Sequence, residues 1–480
     1  MAAEVGDDDR GERCVSTHSH RMPPLGTPLA GSKFTLNSAG VAGFFGGDEA
    51  ISAMATVHLY KGRRWLGWFN SPGSYTIAKR FGRMANSRFW DGLFPGPNDS
   101  PAVSFGLDGK PGPEYIGALS GTKMPTGHLA YLTMERSKET QTVKIEGRVT
   151  KPVAVAYLAM KEVDYNTPVE CRPLTDALLG LIPITVSVVA CIMCALVYDW
   201  YSFSLILLGT VSSGWASYVI GKGKLVIKPV KPAAGAPPGH GILMGENEVV
   251  VIKGAERDVN AITKGRFDLQ TDEKQDDEER GIAHSYHAIG FCSLLLIVQF
   301  LLQLLLIPQG SLFGQIMFLV SLGVSWGYNS YLSSLEKEKV QTDILFQTLG
   351  NPDMLRFLVG TRTTMAVFVC LLLLHQVEIS SPEKEREHRL KILHTCLPNV
   401  SDTVNVVWRR WTEKVVQQLL HIDDESESLP YLEEDEEDRR LAESERILLK
   451  QLLTDAGSAF RAYFSVCENL PDDSTHPRGN

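Results

Sequence analysis

Formal charge is missing from two long blocks of this 480-residue chain. Residues 177–220 carry one charged side chain, Asp199, and residues 288–332 carry none. A solute pathway coupled to ions usually places an ionisable group near the bilayer centre, so this shortage weighs against ion-coupled transport. Cysteine is also uninformative as a framework. Its eight copies show no paired spacing for disulfides or zinc, and Cys191-x-x-Cys194 lies inside an apolar run, where free cysteine acts as a small packing residue. Residues 1–31 lack the apolar core of a signal peptide, so they are expected to form a disordered cytosolic tail. No Gly-x-Ser-x-Gly elbow, His-Glu-x-x-His zinc motif or Gly-rich phosphate loop occurs. His284 and His287, three apart near Glu278 and Glu279, read as interfacial residues rather than metal ligands. The sequence therefore names no catalytic residue, metal site or cofactor.

Where charge is missing, hydrophobic length takes over. Ala177–Val197 and Phe203–Ile220 each have about the length that crosses the roughly 30 Å hydrocarbon layer, and so short a turn as 198–202 makes them antiparallel. His287–Ile307 and Leu312–Leu332, joined at Pro308-Gln309-Gly310, repeat the pattern. Lys222, Lys224, Lys228 and Lys231 follow the first hairpin directly, whereas neither turn contains Lys or Arg. Basic residues beside spanning segments stay on the cytosolic side, so both hairpins are expected to enter from the cytosol and return to it. The N-terminus and central loop are then cytosolic, and the organelle is not specified.

The remainder divides by composition. Residues 33–173 contain short apolar runs and turn residues, and are expected to form a small strand-rich soluble domain. Within it, Lys61, Arg63, Arg64, Trp65, Trp68, Phe69, Lys79, Arg80, Phe81, Arg83, Arg88, Phe89 and Trp90 interleave without an acidic residue. The simplest arrangement turns the aromatics inward and the cations to water. Contact with an anionic leaflet ranks second, and nucleic acid is the least favoured partner. Residues 221–283 are expected to be a loop carrying a small α+β insert, with a strand at 248–253 and a helix at 255–263. After a connector at 334–356, residues 357–378 form a fifth apolar stretch, read either as a spanning helix with Arg362 near its end or as a surface-lying (interfacial) or packed one.

Residues 379–480 form an acidic helical tail. Val404, Val407, Trp408, Trp411, Val415 and Leu419 make one apolar stripe, flanked by Arg409, Arg410 and Lys414 and suited to self-packing, a partner helix or a headgroup surface. Residues 423–438 read as a solvated acidic linker, and Asn399 is a glycan acceptor only if the tail is lumenal.

Two sets of residues inside the hairpins carry the functional reading. Gly209, Ser213, Ser217 and Gly221, and again Gly323 and Gly327, recur every fourth position, a spacing that admits another helix backbone within or between chains. Gln299, Gln303, Gln315 and Asn329 are uncharged polar groups that either glue helices together or line a path.

The stretch from Pro168-Val169-Glu170-Cys171-Arg172-Pro173-Leu174 to the lysines after Gly221, with that from Leu305 to Leu335, resembles a large group of uncharacterised multi-pass membrane proteins of mushroom-forming fungi. The resemblance spans residues 165–460 and implies a membrane core, with no activity, ligand or catalytic residue. The expected fold is an α-helical polytopic membrane protein, with two transmembrane hairpins (174–220 and 284–333), a fifth helix and the soluble parts described above. The expected function is a membrane-anchored interaction or scaffold protein in a lipid bilayer, with self-association and a cytosolic protein partner. The alternatives are a channel or uncoupled transporter built from oligomerised hairpins and, ranked last, a lipid-modifying enzyme.

Overall fold

The computed structural model describes residues 28–29, 32, 45–85, 87–96, 100–162, 172–173, 177–271, 278–375, 382–397, 405–420, 435–467 and 470. The N-terminal tail, the start of the acidic stretch after Thr271, Asn399 and most of the acidic run at 423–438 lie outside them.

Eleven strands are present among these residues: β1 Tyr60–Lys61, β2 Glu114–Gly117, β3 Lys123–Pro125, β4 Thr142–Lys144, β5 Val153–Ala159, β6 Arg172–Pro173, β7 Gly223–Lys228, β8 Gly241–Met244, β9 Glu248–Lys253, β10 Arg266–Thr271 and β11 Met354–Val359. Seven of them form one mixed sheet in the order β3-β2-β8-β9-β5-β11-β4. The central strands explain why. β5 (Val-Ala-Val-Ala-Tyr-Leu-Ala) and β9 (Glu-Val-Val-Val-Ile-Lys) are buried at every position, so each needs cover on both faces and neighbours on both sides. They pair in parallel with Val155 opposite Val249, while β11 runs antiparallel to β5 with Phe357 opposite Val155.

Side chains alternate across this sheet with the period of two that a pleated strand imposes. Ala156, Leu158, Val250 and Ile252 enter one core, and Val155, Tyr157, Val249 and Val251 enter the other.

The helices are α1 Gly47–Ala55, α2 Ser74–Met84, α3 Arg88–Leu93, α4 Pro101–Ser104, α5 His128–Glu139, α6 Leu181–Leu196, α7 Trp200–Ile220, α8 Glu256–Thr263, α9 Glu278–Leu306, α10 Leu312–Ser334, α11 Lys337–Thr348, α12 Arg362–Leu374, α13 Pro382–Cys396, α14 Val406–Leu420 and α15 Glu443–Val466. Residues of α5, α8 and α11 share the first core, and residues of α12, α14 and α15 share the second. The first core also runs into a helix bundle, because Ile77 and Phe81 of α2 and Cys292 and Leu296 of α9 belong to it. In the bundle, α6, α7, α9 and α10 pack together, with α1 against α10 and α2 against α9.

Three helical segments are long and apolar enough to cross a membrane: Leu178–Leu196, Trp200–Ile220 and His287–Gln309. The fourth expected span, α10, has 23 residues, but glycine, serine, tyrosine and asparagine dilute its hydrophobicity and it does not join them.

Several expectations are corrected. The domain at 33–173 and the insert at 221–283 are not separate units, because β5 and β9 are adjacent strands of one sheet. Residues 33–173 also open with helices; the run Ile51–Ala55 is helical, not extended. The fifth apolar stretch is divided between β11 and the 13-residue α12, which is about 20 Å long at 1.5 Å per residue. Val367–Leu373 of α12 are buried between sheet and α15, so this segment is a helix packed in the protein core, the second of the two readings, and not a span. The connector at 334–356 holds α11. The amphipathic stripe of α14 faces α15: Val407, Trp411, Val415 and Leu419 are buried, and Trp411 Nε1 donates to the Leu452 carbonyl at 3.1 Å. The described end of the acidic run is not wholly solvated, since Asp438 is buried and pairs with Arg410 and Lys414.

His58 joins the bundle to the two-stranded antiparallel sheet of β7 and β10 through Nδ1 and the Gly223 carbonyl, 2.8 Å apart. Burial lowers its pKa from 6.5 to about 4, against the opposing hydrogen bond to Gly223. The unfolded chain therefore takes up a proton between these values while the folded chain does not. The His58 contribution to stability is full above the unfolded pKa of 6.5 and is lost as pH falls toward 4. Denaturation followed across this window should show a steeper acid loss for the native chain than for His58→Gln; equal slopes would refute the assignment. In a background without accessible native cysteines, Lys123→Cys in β3 and Glu387→Cys in α13 should react with an impermeant thiol reagent from the same membrane face. Labelling from opposite faces would refute the shared sheet and core.

Candidate functional site

The residues between α1 and α2 build the feature that sets this bundle apart. After the short 3-10 turn Arg63–Trp65, the chain Leu66-Gly67-Trp68-Phe69-Asn70-Ser71-Pro72-Gly73 contains no helix or strand. Gly73, at a φ of 75°, closes it and opens α2. An irregular segment among apolar helices needs partners for its backbone, and protein must supply them where water does not.

Asn70, fully buried, supplies most of the answer. Its backbone N–H donates to Ser187 Oγ of α6 at 3.0 Å, and its Nδ2 donates to Ser321 Oγ of α10 at 2.9 Å. Its Oδ1 accepts from Gln303 Nε2 of α9 at 3.4 Å, a long bond that Gln303 shares with the Leu205 carbonyl of α7. One residue thus joins α6, α9 and α10 directly and reaches α7 through Gln303. Gln299 Nε2 extends the network to Gln303 Oε1 at 3.4 Å, and Asn329 Nδ2 donates to Ser71 Oγ at 3.1 Å.

The small residues of α7 make room for this loop. A Cβ at Gly209 would collide with Asn70 Oδ1, and one at Gly214 would collide with the Trp68 ring. Ser217 lies against Gly67, and Gly221 against Arg64. The stripe Gly209, Ser213, Ser217 and Gly221 was expected to receive a helix within or between chains. All four members lie against residues 64–70 of the chain's own loop, Ser213 through its carbonyl beside Gly67, and Gly209 also approaches Gln303 of α9. Gly323 and Gly327 differ, having open space where a Cβ would stand, with Val320 and Trp326 also exposed on α10.

The far end of the bundle is fixed by Asp199, the lone charge of the first hairpin. It caps α7 by accepting from Ser202 N–H at 3.1 Å and crosses to the second hairpin turn, accepting from Ser311 N–H at 2.7 Å and Ser311 Oγ at 2.6 Å. Both turns therefore meet at one end, with the sheet at the other. Gln315 belongs to this turn end, where its Nε2 donates to the Gly310 carbonyl at 3.0 Å, so it is apart from the network around Asn70. Gln299 Oε1, Gln315 Oε1 and Ser325 Oγ are buried without a hydrogen-bond partner.

The four lysines are divided along β7 and beyond it. Lys222 lies over the Tyr218 ring at 5.3 Å, Lys228 approaches Asp268 at 3.8 Å, and Lys231 is exposed; Lys224 is exposed within β7. Among the described residues, no three His, Cys, Asp or Glu side chains gather as metal ligands would. The network consists of amides and hydroxyls, which bind and position but lack a nucleophile paired with a base.

Sequence reading had found Gln303 and Asn329 but not their partner. Asn70-Ser71-Pro72-Gly73 has the composition of a surface turn, and only the uncharged serines facing it, Ser187 and Ser321, hint at its burial.

Fold and site together define a helical bundle with three membrane-length helices, closed by an inserted polar loop and joined to a mixed α/β sheet. The chain matches no protein-family model, no curated protein and no solved structure.

Replacing Asn70 by Ala keeps the backbone bond to Ser187 but removes the side-chain bonds to Ser321 and Gln303, each worth about 0.5–1.5 kcal/mol, and leaves a void where the amide stood. Thermal unfolding in detergent should shift down by several degrees, and an unchanged midpoint would refute the clamp. Asp199→Asn, which puts amide hydrogens against the Ser311 donors, should loosen the turn end and raise proteolysis at 307–311.

Proposed function

We propose that this chain is a multi-pass membrane protein whose bundle anchors the α/β domain at one membrane face, and that it acts as a non-enzymatic interaction or scaffold protein. The observation that carries this reading is the bundle's inverted polarity. Its outer surface exposes Ile182, Val188, Ile192, Leu207, Val211, Leu294, Val298 and Leu305, while Asn70, Ser187, Gln303 and Ser321 face one another inside. So large an apolar surface is costly in water and suits hydrocarbon. The lysines after α7 support a cytosolic position for the sheet.

The channel reading assigned Gln299, Gln303, Gln315 and Asn329 to a path. The hydrogen bonds of Gln303 and Asn329 to the inserted loop favour a plugged, load-bearing bundle over an open one. With no nucleophile–base pair among the network's groups, nothing favours the enzyme reading.

Self-association, in this reading, uses the outer face of α10 around Gly323 and Gly327. Reconstituted into bilayers, Gly323→Leu with Gly327→Leu should lower the dimer fraction at least several-fold without changing thermal stability; an unchanged fraction would remove this interface. Solute flux through vesicles carrying the protein, abolished by Gln299→Leu with Gln303→Leu, would overturn the scaffold reading in favour of a channel. Release of the protein by alkaline extraction would overturn membrane insertion itself.

A further inference from the structure

At the sheet end of the bundle, the described residues bury a cation without a carboxylate partner. Arg63 is 2% exposed, and its Nε and Nη1 are buried without hydrogen-bond partners. No carboxylate pairs with it among the described residues. Among the described residues it lies over the Tyr328 ring, whose centroid is 5.5 Å from the guanidinium carbon. A guanidinium carries five donors and keeps its charge, so removing it from water without an anion is strongly unfavourable. Burial presses its pKa below the ordinary value, with only Tyr328 opposing.

A second unused donor stands beside it. Tyr328 Oη is buried without a partner, and it lies 2.8 Å from where a Cβ of Gly180 would stand, at the start of α6. A hydroxyl donor and a guanidinium therefore stand on the two sides of one buried tyrosine contact, and both favour an anion.

The rim has the same chemistry. Arg64 stacks on Trp65 at 5.5 Å and Lys222 on Tyr218 at 5.3 Å, while Trp65 and Tyr218 are 5.0 Å apart. Arg64 and Trp65 are exposed one and two residues after the buried guanidinium. Exposed indole and phenol rings interleaved with cations are the groups that settle at headgroup depth. This rim sits at the helix ends nearest the sheet.

We propose that Arg63 and Tyr328 form a phosphate site that holds the head group of an anionic membrane lipid, with Arg64 and Lys222 on its rim. Phosphate oxygens only accept hydrogen bonds, which matches a site made only of donors. The lipid thereby pins the start of the inserted loop to α10, one short turn before Asn70 enters the bundle. The proposal rests on the membrane reading above.

The test uses the full chain in nanodiscs of phosphatidylcholine, alone or with part of it replaced by phosphatidylglycerol, and in phosphatidylcholine discs with millimolar inorganic phosphate. Incorporation and resistance to alkaline extraction are scored first on the same samples, so that failure there overturns the membrane reading separately. For inserted protein, phosphatidylglycerol should raise the unfolding temperature by several degrees and should be retained in native mass spectra. Arg63→Gln should remove most of that gain. Tyr328→Phe, which keeps the ring under the guanidinium and so preserves packing, should reduce it, whereas Lys231→Gln on the exposed surface should leave it intact. A gain from inorganic phosphate alone, equally lost in Arg63→Gln, would keep the phosphate site and assign it to a soluble ligand. No gain from either source, or a gain that Arg63→Gln and Tyr328→Phe both retain, would overturn the proposal.

Discussion

The bundle depends on the burial of one amide side chain. Asn70 brings backbone that is neither helix nor strand into contact with three helices, and its N–H and both side-chain polar atoms find partners there: Ser187, Ser321 and Gln303. Burial gives these bonds their structural leverage, because any group left unpaired has no water to fall back on. The glycines follow from the same constraint. Gly209 and Gly214 have no side chain because Asn70 and Trp68 occupy that space, so the small-residue spacing that often joins two helices here admits a loop. Sequence periodicity predicts close approach and does not say what approaches.

Polar contacts divide the bundle into three levels with different chemistry. Asp199 ties the two turns together at the far end by accepting from both hairpins. Neutral amides and hydroxyls occupy the middle. Cations and aromatic rings gather at the sheet end, where Arg63, Arg64 and Lys222 meet Tyr328, Trp65 and Tyr218. Along α6, α7, α10 and residues 288–306 of α9, Asp199 at the turn end is the one formal charge, and the contacts around Asn70 use hydrogen bonds between neutral groups alone.

Much of the helical part was legible because a long uncharged run constrains structure strongly. Both hairpins and their turns appear where hydropathy placed them, although α10 is less apolar than a spanning segment needs to be on its own. The sheet was much less legible. Its central strands come from residues 153–159, 248–253 and 354–359, separated by a hairpin on each side. Each reads locally as a short apolar run, and pairing over such separations leaves no local signature. The mistaken fifth span has the same origin. Residues 354–374 combine a half-buried strand with a buried helix, and a window of composition does not distinguish a segment buried in protein from one buried in lipid.

That equivalence also explains where polar evidence is worth more than hydrophobic evidence. Leu371 in α12 and Leu305 in α9 are equally apolar, yet the first is buried at 1% exposure and the second is 64% exposed. What separates their settings is the surrounding polar pattern. Beside α12, Asp455 accepts from Thr361, Thr363 and Arg148, so charge is paired within the protein core. Along α9, Gln299, Gln303 and Ser293 turn toward protein, Ser293 donating to the Ala78 carbonyl at 2.7 Å, while leucines cover the outside. A helix that directs its few polar groups inward and leaves its apolar groups exposed has the polarity that hydrocarbon favours. The adjoining sheet buries its apolar side chains on both faces and pairs its inner charges, as Arg356 with Glu248.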